Sequence, residues 1–187
     1  GQEALQYIWE LAQKHEVKTI VKSKSMASEE IHLNKFLIER GVEVVETDLG
    51  EWIIQQAGQK PSHMVMPAIH LSKEQVAELF TKNLGKEIPA EIPKLVKVAR
   101  RELRRKFLAA EMGISGANIA VAETGTMVIF TNEGNGRLTA TLPPIHVVLV
   151  GYEKLVPRFS DIEPVAQLLP RSATAQNITS YITMITG

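Results

Sequence analysis

At 187 residues the chain suits one compact domain, long enough to bury an apolar core without disulfides or metals. Its 21 basic and 21 acidic residues cancel, so no net charge draws it onto nucleic acid or an anionic membrane. The chain has no cysteine, which excludes disulfides, thiolate zinc sites, a cysteine nucleophile and any iron–sulfur cluster ligated from within it.

The opening Gly1-Gln2-Glu3-Ala4 has neither the basic flank nor the apolar stretch of a signal peptide. No apolar run is long enough to span a bilayer, so a cytoplasmic location is expected. Residues 2–15 read as a helix, with Leu5, Ile8, Trp9, Leu11 and Ala12 at helical spacing. Residues 17–21 read as a strand, residues 25–40 as a helix stopped by Gly41, and residues 42–46 as a second strand. Asp48 and Glu51 have capping-box spacing for a helix to Gln56, and Ser72 and Gln75 repeat it for a helix to Leu84. Between them, residues 63–66 read as a short strand closed by Pro67. A long helix is expected over residues 92–112, ended by Gly113, with Leu95, Val96, Ala99, Leu103, Phe107 and Ala110 on its apolar face. Strands follow at residues 117–122, 126–131, 137–141 and 147–150, with 132–136 as a hairpin-type loop. The tail, residues 162–185, reads as helical and broken near Pro170. This order predicts an α/β fold: a three-layer, parallel-type sheet with helices on its faces, to which the second half adds antiparallel hairpin strands.

In open α/β sheets, ligands bind outside the carboxyl ends of the strands. There the sequence places Lys22, Ser23, Lys24 and Ser25, then Thr47 and Asp48, then Pro67 and His70, then Glu123, Thr124, Gly125 and Thr126. If these strands are parallel neighbours, all four sets share one mouth. Glu123 is a candidate catalytic base or nucleophile, and Thr124, Gly125 and Thr126 a candidate anion nest. The competing reading is a tight turn with Glu123 paired to a cation. Asn132, Glu133, Gly134, Asn135, Gly136 and Arg137 could wrap a phosphate or carboxylate, Arg137 gripping it in bidentate fashion; a plain exposed hairpin competes. Lys22, Ser23 and Lys24 could hold an anion at a helix start, against the reading of solvated lysines and a helix cap. The five histidines show no metal-ligand spacing, so no metal is expected, and His146 reads as a hydrogen-bonded core histidine. Lys94, Lys97, Arg101, Arg104 and Arg105 form a basic stripe, read as a solvated or docking face before a nucleic-acid one.

Residues 113–138, which run Gly-Ile-Ser-Gly-Ala-Asn-Ile-Ala-Val-Ala-Glu-Thr-Gly-Thr and on through Asn-Glu-Gly-Asn-Gly-Arg-Leu, closely resemble the lactate-utilisation (LUD) domain family. So do residues 142–151, 153–157, 22–30 and 44–51, so that the likeness covers nearly the whole chain. The resemblance implies a fold similar to the sugar-phosphate isomerase and CoA-transferase superfamily. It also implies a role in oxidising L-lactate to pyruvate alongside other lactate-utilisation subunits. In the family this domain precedes a ferredoxin-like part whose cysteines bind two 4Fe–4S clusters. With no cysteine here, the 187 residues are expected to be the LUD-type domain alone, with no cofactor of their own and the clusters outside the chain. The family motif falls on residues 123–126 and 132–137, which marks both loops as candidate linings for a small anionic ligand. Two other readings stand beside this one. One is a stand-alone enzyme using Glu123 toward an acyl-CoA or a sugar phosphate, and the other is a subunit-docking domain.

Overall fold

The computed structural model of the protein describes residues 1–63, 66–179 and 181–186. Its first helix, α1 (Gln2–Lys14), turns Leu5, Ile8 and Ala12 inward, and β1 (Thr19–Lys22) follows. The single helix expected over residues 25–40 is two helices, α2 (Met26–Glu30) and α3 (Leu33–Ile38). Between them His32 takes a left-handed conformation, φ 56°, which interrupts the ladder and re-aims the chain. Leu33 and Leu37 of α3 thereby reach the core.

Then β2 (Glu43–Glu46) and α4 (Leu49–Ala57) stand where the pattern predicts them. Asp48 caps α4 by accepting the Glu51 N–H at 3.1 Å, and Ser72 and Gln75 form the reciprocal capping box of α5 (Lys73–Leu84). The strand expected at residues 63–66 falls on Met64 and Val65, which lie outside the described residues. Helix α6 (Ile92–Ala109) stops before the expected Met112, because Ala110 is extended and Met112 opens β3 (Met112–Ser115). Gly113 is therefore a strand residue rather than a helix stop. A Cβ there would lie 1.9 Å from the backbone oxygen of Thr139 in α7 (Asn135–Thr141). That helix replaces the strand expected at residues 137–141. Its buried Gly136 and Thr139 share a helical face, so tertiary packing overrides the β propensity of the threonines.

The parallel sheet runs β2–β1–β3–β6, with β6 (Ile145–Val148) at its edge. Ile20, Val44, Met112 and Ile114 pack with α1 and α3, whereas Val21 and Val45 pack with α4, α5 and α6. Apolar cores on both faces make this sheet the middle of three layers. A second sheet has the order β7–β4–β5–β8, built from β4 (Ile119–Val121), β5 (Thr126–Thr131), β7 (Leu155–Val156) and β8 (Tyr181–Thr186). The expected antiparallel pairing is here: β5 pairs antiparallel with both β4 and β8. Residues 132–136 turn no hairpin; they lead from β5 to the helix α7. The tail is also corrected. Helix α8 (Ile162–Thr174) runs through Pro170 and ends at Ala175, and residues 181–186 form a strand rather than a helix. Alternating Tyr, Ile and Thr suit the free edge that β5 offers. Ile162 of α8 completes a third core with Ile119, Val121 and Val128. No helix among the described residues is long and apolar enough to cross a membrane.

Candidate functional site

From β1 the chain moves to one side to form β2, then returns across β1 to form β3. The carboxyl ends of β1 and β3 thus flank the topological switch point, where α/β sheets of this kind bind ligands. The two loops touch there: a Cβ on Gly116 would lie 3.0 Å from the Ser25 Oγ, and the Ser23 N–H donates to the Ile114 oxygen at 3.0 Å. Ser25 caps α2, accepting the Ser28 N–H at 3.4 Å.

Lys22, the last residue of β1, is 1% exposed. Its register partner on β2 is Glu46, and α2 overhead supplies Ser28 and Glu29. The ammonium meets Glu46 Oε1 at 2.9 Å, Glu29 Oε1 at 3.0 Å and Ser28 Oγ at 3.0 Å. Burial works against its charge, yet Glu46 and Glu29 hold it above the ordinary lysine value. Burial also pushes the Glu46 carboxyl up, more than Lys22 and the Asn34 amide pull it down. Asn34 Nδ2 donates to Glu46 Oε1 at 2.6 Å, while Glu46 Oε2 and Asn34 Oδ1 are buried without a hydrogen-bond partner.

Lys24 reaches Glu51 Oε1 at 3.7 Å, and burial followed by the neighbouring Glu46 charge raises the Glu51 carboxyl. Glu29, Glu46, Asp48 and Glu51 therefore face two lysines, so a lone anion meets less positive charge than Lys22 and Lys24 suggest in sequence. Deeper in, the Thr47 hydroxyl donates to the Lys22 backbone oxygen at 2.9 Å and lies 3.3 Å from the Thr139 hydroxyl. His146 Nε2 bonds Ser115 Oγ at 2.8 Å and partial burial lowers its pKa; it is hydrogen-bonded as expected but half-buried on the edge strand rather than in the core. Glu46, Ser28 and Glu29 escaped sequence reasoning because only β1–β2 register and the α2 overlay bring them to Lys22, and Asn34 of α3 because it joins the network through Glu46.

The Glu123 group lies elsewhere, in the turn between β4 and β5 of the second sheet. Glu123 Oε2 accepts the Phe159 N–H at 2.9 Å, a backbone partner rather than a cation. Gly125 has φ 67°, which tightens the turn, and a hydroxyl chain links Thr124 to Thr126 (2.7 Å) and Thr126 to Thr186 (2.8 Å). In the second loop Asn132 bonds the Gln176 side chain at 2.9 Å, and Gly134 and Asn135 open α7 beside Glu133. The Arg137 guanidinium stacks 3.6 Å above the Tyr181 ring. The structure thus brings Lys22, Ser23 and Lys24 together at the switch point. Residues 123–126 and 132–137 lie instead at opposite ends of β5, and the second loop leads into α7, whose Thr139 meets Thr47. Among the described residues no cluster of three His, Asp or Glu side chains could hold a metal ion.

The profile of the LUD domain matches residues 1–187. The chain belongs to the LUD domain family. It is 49% identical over 188 aligned positions to the lactate utilization protein B of Bacillus subtilis, and 47% identical to that of Bacillus velezensis. Each alignment covers the whole chain, which spans 39% and 40% of those two proteins. A DUF162 family protein of Deinococcus radiodurans superposes with a TM-score of 0.39 and 11% identity, covering 100% of this chain and 88% of that one. Within this LUD domain, residues 113–138 run through β3, β4, β5 and the start of α7, so the sequence that carries the likeness also links the two sheets.

Proposed function

We propose that this LUD domain is a module of a protein that takes part in oxidising L-lactate to pyruvate. The two electrons removed pass to 4Fe–4S clusters carried outside this chain, and two protons are released. The observation that supports this reading is identity of 49% along the full chain to a protein named for lactate utilization, of which it spans 39%. A chain without cysteine leaves the cluster ligands to other parts of such a protein. The module works among other lactate-utilisation subunits. The switch-point loop at Ser23 and Lys24, beside the buried Lys22, and the loops at residues 123–126 and 132–137 are where a small ligand is best sought.

The test is a chimera. A Bacillus subtilis strain lacking its lactate utilization protein B receives a version in which this chain replaces the matching part. Growth on L-lactate as sole carbon source is expected. A soluble, cluster-loaded chimera that gives no growth counts against the reading.

A further inference from the structure

Helix α6 carries seven cations and one carboxylate in a chain whose total charge is zero. Lys106 turns toward Glu43. The other six cations, Lys94, Lys97, Arg100, Arg101, Arg104 and Arg105, are exposed on the face opposite the buried Leu95, Ala99, Leu103 and Phe107. Glu91 pairs with Lys94, and Glu102 with Arg101 and Arg105. No ion pair joins Lys97, Arg100 or Arg104 to a carboxylate among the described residues. Like charges three and four residues apart weaken a helix. Lys97–Arg101, Arg100–Arg104 and Arg101–Arg105 are such pairs, so this face works against the stability of its own helix. Beside it, between α6 and the segment that joins α5 to α6, lies a cleft of about 290 Å³. Ile88, Pro89 and Val98 supply its apolar lining, and Lys86, Arg101 and Arg105 its cations.

We propose that this face and cleft dock an acidic segment of a partner protein, one apolar side chain of which enters the cleft. The cations steer the acidic segment in, and the apolar lining gives it a desolvated anchor. Nucleic acid fits less well, because no aromatic side chain lines the cleft for stacking and Glu87 and Glu102 stand in its wall. A bilayer fits less well too, because the apolar stripe of α6 is already buried against the sheet.

The test uses the 187-residue chain and a dye-labelled 15-residue peptide of Glu, Asp and Ser with one central Leu, followed by fluorescence anisotropy. Replacing that Leu by Ser should weaken binding about tenfold or more, the contribution of one buried anchor. The triple reversal Lys97→Glu, Arg100→Glu and Arg104→Glu should weaken it by about tenfold or more. All three positions are exposed, and circular dichroism melting checks that the variant folds. Binding indifferent to the central Leu, or to the reversal, overturns the proposal. Tighter binding of a 15-base-pair DNA duplex or of phosphatidylserine vesicles also overturns it.

Discussion

Lys22 has the sequence context of a solvent-facing ligand binder, a lysine followed by Ser-Lys-Ser ahead of a helix. Its place at the end of a central strand, opposite Glu46 and under α2, makes it the buried centre of an ion-pair network instead. Replacing it with Met leaves the Glu46 carboxylate buried and unpaired, which costs about 3–5 kcal/mol at neutral pH. Both groups bind protons more tightly folded than free. The contribution of Lys22 is therefore full below its ordinary value of 10.5 and is lost as pH rises through its folded value. That of Glu46 is full below 4.5 and is lost as pH rises through its own elevated value. In the Met variant a protonated Glu46 needs no partner, so its deficit should be smaller in acid and grow toward neutral pH. Urea melts of both proteins across pH check this; a deficit that does not change with pH removes Glu46 as its source.

At the level of elements, helices and caps were the most legible part. Asp48 and Ser72 cap the helices their spacing announces, since capping is a local exchange between a side chain and N–H groups two or three residues on. At residues 137–141 and 181–185 the structure differs from the state that the sequence pattern predicts. Residues 137–141 form a helix despite two threonines, whereas the Tyr, Ile and Thr residues of 181–186 favour the strand they form. What decides them is the neighbour: the backbone of α7 against Gly113, and the open edge of β5. Gly113→Ala tests the first contact. Its Cβ would meet the Thr139 oxygen at 1.9 Å, so α7 must move away, and a loss of about 1–3 kcal/mol is expected by thermal melting. A variant as stable as the parent shows that α7 is not wedged against β3.

For the whole molecule, the division into two sheets separates candidate residues that sequence order suggested were neighbours at one mouth. The outer strand β8 exposes Tyr181, Ile182 and Met184 along an edge that no other strand covers among the described residues. Such edges template association, and a lysine there opposes it. Ile182→Lys should lower the light scattering of the concentrated chain without a large change in melting temperature. Equal scattering from both forms points to association through another surface.

The candidate site divides the same way. That Lys22, Ser23 and Lys24 stand at the end of a strand, and that residues 123–125 turn after another, was legible, because strand ends and Gly-containing turns are marked by neighbouring residues. That Lys22 is neutralised by Glu46 and Glu29, and that Glu123 serves the Phe159 backbone, was not, since these partners lie 24, 7 and 36 residues away. From sequence alone came the layered α/β plan, the helix caps, the exclusion of cysteine-bound cofactors and the family. All of these depend on composition, short-range periodicity or a contiguous motif. Tertiary structure alone decided which strands share a sheet, which charges are buried, and that the candidate loops do not gather at one mouth. These are settled by strand register and long-range packing, whose energies exceed local preference and leave no mark at any fixed spacing in the chain.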